Sequence, residues 1–474
     1  MGFKINHRIL IAAVFLIANF GQASAQDSKA VDKAMELSGL SVSESYLVTD
    51  FVSLDVNDVY FRKLIHRAKR ASTENIDKWS RLSIPASIDT LRTDPIPNRF
   101  QVYGGGAVVE SLRRFKLPKK TAGFISSVYV ASCRNDQGQP FAVLLREPLR
   151  SWPIDQPLPV PQKVTYAGFF LGSFATDDNG YPKLFQSAEE KETPLHEIDL
   201  IDEENPPVAP EQCVPVFVAK RLRWFPTETS ETPPVSEALV KLSEQGMDVS
   251  LLLDRVRPRS NKPIGSSETT ALYQMMIAAD KVDTMPGNPM DFQQLLRSPQ
   301  SIGEAVRMSG RIRQCVAAKI DNPQIAAELG TDTWYQVTMF PNQRGQNIVL
   351  RNPEGEDLVY QQFPFTFCLP RLPDDRSPQE LTGAVFEFSG FFYRMWIYPS
   401  ERTDQANLAG QSSPLIMVSS VKEIRAAEAD LNAFVGTIVG AMLLTIGVVA
   451  FFVYRSRSRK VEQEPLPETI DINL

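Results

Sequence analysis

The feature that most constrains this chain is that it repeats itself. Val164-Thr165-Tyr166-Ala167-Gly168-Phe169-Phe170 recurs as Phe386-Glu387-Phe388-Ser389-Gly390-Phe391-Phe392. Registered on Gly168 and Gly390, Val164 matches Phe386, Tyr166 matches Phe388 and Phe174 matches Trp396. Other features recur in the same order. Gly106-Ala107-Val108 resembles Gly310-Arg311-Ile312, and Val128-Tyr129-Val130 resembles Trp334-Tyr335-Gln336-Val337. A Gly-containing turn follows each, then a strand-like run, Phe141–Leu145 in one copy and Asn347–Leu350 in the other. Pro215-Val216-Phe217-Val218-Ala219 resembles Pro414-Leu415-Ile416-Met417-Val418. An ordered set of weak matches points to a duplication, so one structural plan has to fit twice.

Each copy opens with a helical preface. Tyr60-Phe61-Arg62-Lys63-Leu64-Ile65 parallels Tyr273-Gln274-Met275-Met276-Ile277. In the second copy Pro233-Pro234 leads into a helix over 235–245, with Gly246 as a left-handed cap. The Thr-, Glu- and Pro-rich run 227–234 marks the boundary between copies. The expected organisation is a helical segment 27–100, a first β module 101–226, a linker and helical segment 227–304, and a second β module 305–425. The first module carries an insertion, 177–212, with no counterpart in the second. It holds eleven acidic residues against Lys183 and Lys191, and so outweighs the whole chain's net charge of −6. Its composition reads as a solvated surface excursion, with an acidic contact for a basic partner or a divalent cation as the sharper alternative. Asp177-Asp178-Asn179-Gly180 lacks the alternating ligands of a calcium loop and reads as a turn.

The strand-like runs number five per copy. A Gly inside the strong fourth strand signals a bulge or bend, the device by which small barrels turn a corner. The expected class is therefore α+β: two tandem mostly-β modules, each after a short helical segment, plus a C-terminal membrane helix. Over about 120 residues of each copy, the pattern resembles the five-stranded OB-like barrel. The whole layout is similar to single-pass bacterial envelope proteins, which implies location and no activity.

Two apolar runs carry that expectation of location. Lys4, His7 and Arg8 precede an apolar stretch ending at Phe20, and Ala23-Ser24-Ala25 fits a cleavage site, so 1–25 reads as a signal peptide. Residues 431–454 contain no charge, long enough as a helix to cross ~30 Å of hydrocarbon. Arg455, Arg457, Arg459 and Lys460 follow, which places the tail 455–474 in the cytoplasm and the ectodomain in the periplasm, a type I arrangement. Gly436 and Gly440 form a small-xxx-small pair, a candidate for homodimerisation through this helix against the plain frequency of Gly in membrane helices.

Composition removes several classes of function. The net charge argues against nucleic-acid binding, which draws on cationic neutralisation of phosphates. Only 3 His and 4 Cys are present, with no CxxC, HExxH, GxSxG or Walker A pattern, so neither a metal centre nor a cofactor is expected, and no catalytic residue is assigned. Gly104-Gly105-Gly106 precedes a strand and is not a dinucleotide loop. Ser419-Ser420-Val421-Lys422 fits SxxK without its companion motifs, and His196 reads as a solvated surface residue. One disulfide per copy, Cys133–Cys213 and Cys315–Cys368, suits an oxidising compartment; free buried thiols are the alternative.

The aromatic wealth of the second copy invites a stacking platform, although aromatics at period two ordinarily fill a core. Trp334, Tyr335 and Trp396 are the platform candidates, with Arg394 as a polar contact. The leading expectation is a non-enzymatic, membrane-anchored envelope protein that binds or scaffolds a protein or glycan partner. An envelope hydrolase using carboxylates in a groove between the modules is the rival, and a structural subunit of a membrane assembly is the third reading.

Overall fold

Residues 48–458 of the computed structural model are described, apart from 57, 72, 83–85, 118–125, 186–206, 299, 342–347, 352–356, 361–362, 399–410 and 425–430. The signal-peptide region, His196, most of the acidic insertion and residues 459–474 of the tail lie outside the described residues. The first helix starts at Asp58, whose carboxylate accepts from the backbone N–H groups of Tyr60 and Phe61 (2.8 and 2.9 Å). This caps α1 (Val59–Arg70), and Phe61, Leu64, Ile65 and Ala68 form its buried face at helical spacing. α2 (Thr73–Leu82) follows.

Both helices pack on a first β module made of β1 (Val102–Lys116), β2 (Ser127–Arg134), β3 (Pro140–Leu145), β4 (Gln156–Ala175) and β5 (Cys213–Ala219). Hydrogen bonds order them β1-β2-β3-β5-β4, and β4 returns to β1 to close the ring. β3 and β5 run parallel, while the other pairs are antiparallel. β3 and β5 are apolar almost throughout because both their faces are covered. Val143, Leu145, Phe217 and Ala219 share the interior with Phe170, whereas Ala142, Leu144, Val216 and Val218 meet the apolar face of α1.

The second module repeats this plan. Ser236 caps α3 (Glu237–Glu244), and Gly246 ends it at φ +89°, a conformation that favours glycine. α4 (Thr269–Asp280) leads toward β6 (Ala305–Lys319), β7 (Thr333–Pro341), β8 (Phe365–Leu369), β9 (Val385–Tyr398) and β10 (Gln411–Glu423). These form a closed barrel in the order β6-β7-β8-β10-β9, again with the third and fifth strands parallel. The first strand of each module slips register after equivalent residues, Val109 and Ile312. Even the seat of the preceding helix recurs. The Lys220 ammonium, just past β5, donates to the Ala71 carbonyl behind α1 (3.2 Å), and the matching Ser419 hydroxyl donates to the Val282 carbonyl behind α4. The two modules are not separate cores: Phe217 and Trp224 of the first belong to one apolar cluster with Leu252, Met275 and Phe388 of the second.

Three details differ from the sequence reading. Register pairs Ala107 with Val164 and Gly310 with Phe386, so Gly310 corresponds to Ala107, one residue beyond Gly106. Ile348–Arg351 is not the third strand of its module. It pairs with Asp357–Tyr360 as a local hairpin, and Phe365–Leu369 takes the barrel position. Gly168 and Gly390 are sites of close approach rather than the bend itself. A Cβ on Gly168 would lie 2.8 Å from the Val218 carbonyl, and one on Gly390 would strike the Met417 carbonyl. The register of β4 shifts on either side of Gly168: against β1 between Gln162 and Pro157, and against β5 between Phe170 and Gly172.

Residues up to Val421 form one unit and Lys422–Leu474 another. The latter contains α5 (Leu431–Ser458), 28 residues long. Described side chains in this helix begin at Val439, and among the described residues no helix is long and apolar enough to cross a membrane. Gly436 and Gly440 both fall within α5.

Candidate functional site

The aromatic platform does not assemble. Trp334 pairs beside Ala318 at the end of β6, whereas Trp396 lies on β9 beyond Phe391, which pairs with Ala305 at the start of β6. The length of a strand therefore separates them, and Tyr335, next to Trp334 on β7, points to the opposite face. Trp334 hydrogen-bonds the Tyr273 hydroxyl of α4, and Trp396 bridges to Lys262. Phe365, Phe367, Phe386, Phe388, Phe391, Phe392 and Tyr393 fill the core, with Phe367 stacked on Phe388 at 4.5 Å.

Arg394 is not a ligand contact either. It is fully buried and its guanidinium is spent within the protein. Nε and Nη2 donate to the two carboxylate oxygens of the equally buried Glu268 (2.8 and 3.1 Å). Nη1 donates to the carbonyls of Lys262 and Met395 (2.7 and 2.8 Å), and Nη2 also donates to that of Pro263 (3.3 Å). A charge between aromatics reads as exposed in sequence; here its counter-charge arrives from the helical preface.

The expected disulfides are likewise absent: all four cysteines are free. Cys315 pairs with Val337, and Val337 with Phe367, so Cys368 sits in the neighbouring row, on the other face and two strands away. Cys133 on β2 and Cys213 on β5 are separated by β3. Two strand spacings are ~9.6 Å, beyond the ~7 Å that a disulfide spans. Burial pushes the Cys133 and Cys368 thiols up, and those of Cys213 and Cys315 up to about 11. Ser419 and Lys422, three apart on extended β10, point to opposite faces and cannot cooperate. In the turn at 177–180, Asp177 accepts from the backbone N–H groups of Asn179 and Tyr181, and pairs with Arg113 (2.8 Å). Gly180 supplies the positive φ of that turn. Among the described residues, no cluster of His, Cys, Asp and Glu could hold a metal ion.

What the structure does assemble is a cleft where the first module meets the second helical segment. Tyr129, Leu145 and Ala219 lie in one cross-strand row, so β2 begins while β3 and β5 end at the same level. The chain leaving them delivers Arg146, Glu147 and Arg150 from one side and Arg221 from another. A π-helical turn, Leu251–Val256, closes the third side. It buries Leu251, Leu252, Leu253 and Val256 and turns Asp254 and Arg255 toward the cavity, which measures about 330 Å³.

The hub beneath the cleft is Asp248, 1% exposed. Its Oδ2 accepts from Arg221 Nη1 (2.6 Å), and its Oδ1 accepts from the Ser250 hydroxyl (2.6 Å) and from the backbone N–H groups of Trp224 and Ser250 (3.1 Å each). This carboxylate welds the segment after β5 to the segment before the π turn. Around it, the Arg150 N–H donates to Asp254 Oδ1 (3.2 Å), and Arg255 faces Glu147 at 3.7 Å. Burial, aided by the charge of Asp248, pushes the Asp254 carboxyl up to about 6 against the opposing pull of Arg150 and Arg221. The positive field extends to α1. Partial burial and then the charges of Arg70, Lys69 and Arg146 hold the His66 imidazole below its ordinary range.

None of the cleft residues was a sequence candidate. The available signal was three short arginine-bearing runs, Arg146–Arg150, Lys220–Arg223 and Arg255–Arg259, which read individually as ordinary surface. No known protein family matches the chain, and no curated protein matches it.

Proposed function

We propose that this chain is a membrane-anchored envelope protein whose two β modules form OB-like barrels and whose ectodomain binds a protein or glycan partner at the cleft where the first module meets the second helical segment. The observation that carries the reading is the cleft itself. In an acidic chain, arginines from three separate segments line one cavity at the junction of the modules. OB-type barrels commonly bind through strand faces and adjoining loops, and the strand order of both rings suits that assignment. The uncharged stretch 431–454, lying within helix α5, supports anchoring, and the arginines after it support a cytoplasmic tail.

Binding is favoured over hydrolysis by the state of the carboxylates. Asp248 has its oxygens occupied by four donors, and Glu147 is half exposed beside Arg255, which leaves Asp254 without a second buried carboxylate to divide acid and base roles. A photo-crosslinking residue in place of Tyr129, introduced in the full chain in its own membranes, tests the reading. A discrete adduct, lost in the Arg146→Gln/Arg255→Gln background and missing when the probe replaces the exposed Val316, is expected. Equal labelling at both positions would contradict it. Anchoring predicts that alkaline carbonate leaves the protein in the membrane, and release into the wash would refute it.

A further inference from the structure

We propose that the cleft recognises a phosphate group, with Arg221 as the anchoring side chain; this rests on the reading of the cleft as the binding site. Arg221 is held with little freedom. Its side chain is only 10% exposed, and Nη1 is fixed by Asp248 Oδ2 (2.6 Å) and by the Ser250 hydroxyl oxygen (2.9 Å). The edge formed by Nε and Nη2 is the one that meets an oxyanion bidentately. Nε is buried and has no hydrogen-bond partner among the described residues. A buried N–H without an acceptor costs free energy, and a bound oxyanion is the acceptor this position lacks.

The surroundings select the kind of anion. Arg146, Arg150 and Arg255 line the same cavity, as do Ser126 and Ser127. Three resident acids oppose this field, Glu147 facing Arg255, Asp248 paired with Arg221 and Asp254 accepting from the Arg150 N–H, so four arginines stand against three carboxylates. Arginines from separate segments, in excess over those acids, offer more donors than a single carboxylate uses and suit the three acceptor oxygens of a phosphate. The cavity of about 330 Å³ leaves room for the moiety carrying the phosphate. That moiety is a soluble sugar phosphate or a phospholipid headgroup, since both present the same chemistry.

Calorimetric titration of the detergent-solubilised full chain, in a phosphate-free buffer, separates the possibilities. The probes are inorganic phosphate, glucose 1-phosphate, dihexanoyl phosphatidylglycerol and, as a carboxylate comparison, glucuronate. Saturable binding of at least one phosphate-bearing probe is expected, and the tightest identifies the source. Arg221→Met should weaken that binding at least tenfold. Should this variant fail to fold, Arg146→Gln/Arg255→Gln, which alters partly exposed side chains, should weaken it at least fivefold at an unchanged melting temperature. Three results overturn the proposal: no saturable binding of any phosphate probe, binding of glucuronate alone, or binding indifferent to both sets of variants. If phosphate fails while the Tyr129 adduct persists, the ligand class is wrong and the cleft stands; loss of both removes the cleft as well.

Discussion

Neutralising Glu268 should cost this protein more stability than any single surface change. Glu268 and Arg394 are both 0% exposed, and the pair joins the helical preface of the second module to β9. Glu268→Gln retains one acceptor oxygen but leaves a guanidinium buried with no carboxylate beside it, a loss of ~3–5 kcal/mol by comparison with other broken buried pairs. Arg394→Met leaves the carboxylate buried instead, with Arg259 at 3.6 Å as partial compensation, and also strips donors from the carbonyls of Lys262, Pro263 and Met395. The Met395 and Lys262 carbonyls keep the N–H groups of Asn261 and Ile397 (3.0 and 3.4 Å), so the lost donors add ~1 kcal/mol, chiefly at the Pro263 carbonyl, and this variant is the more damaged. The double variant Arg394→Met/Glu268→Leu carries no buried charge and retains the carbonyl losses and the loss of the Gly265 N–H acceptor, so it should be more stable than Arg394→Met alone. For a unit of this size, ~4 kcal/mol corresponds to a fall in melting temperature of roughly 5 °C. Thermal unfolding of the full chain in detergent, followed by circular dichroism, reads the series. A double variant no more stable than Arg394→Met alone, or a Glu268→Gln protein melting within a degree of the parent, would refute the reasoning.

Because burial raises the Asp254 carboxyl to about 6, above its ordinary 3.8, protonation favours the folded state; that stability is fully present below pH ~3.8 and lost as pH rises through ~6. Asp254 faces Arg150, Arg221 and Asp248, and after allowance for its partial exposure, Asp254→Asn should raise stability at pH 7 by ~1–2 kcal/mol while flattening the loss between pH 4 and 6 in denaturant titrations. Gly390→Ala forces a methyl into the Met417 carbonyl and should destabilise by ~3 kcal/mol or more, whereas Gly105→Ala, with its nearest neighbour at 3.9 Å, should leave the denaturation midpoint within error. In the native state, iodoacetamide should spare the fully buried Cys133 and Cys368, and mass spectrometry should find four free thiols after denaturation under non-reducing conditions.

The fold was legible where local sequence marks long-range contact. Gly168 and Gly390 stand out because a side chain there would strike the neighbouring strand, and Pro215 and Pro414 take matching places in the fifth strands. Ile348–Arg351 misled because alternation identifies a strand but not its partner; a turn-prone Asn352-Pro353-Glu354-Gly355 follows it, and it pairs within its own hairpin. The site was not legible for a related reason. Arg394 and Glu268 lie 126 residues apart, so the sequence shows a lone charge among aromatics where the fold holds a closed ion pair. The cleft collects Arg146, Arg221 and Arg255 only because strand ends and a π turn meet, and no spacing in the chain encodes that meeting.

The most direct measurement is hydrogen–deuterium exchange on the detergent-solubilised full chain, with and without the tightest phosphate-bearing probe. The account predicts slowed exchange confined to peptides covering 126–129, 146–150, 219–224 and 247–256, with none over the Trp334–Gln336 strand. Protection centred on that strand, or no protection anywhere at saturating probe, would contradict it.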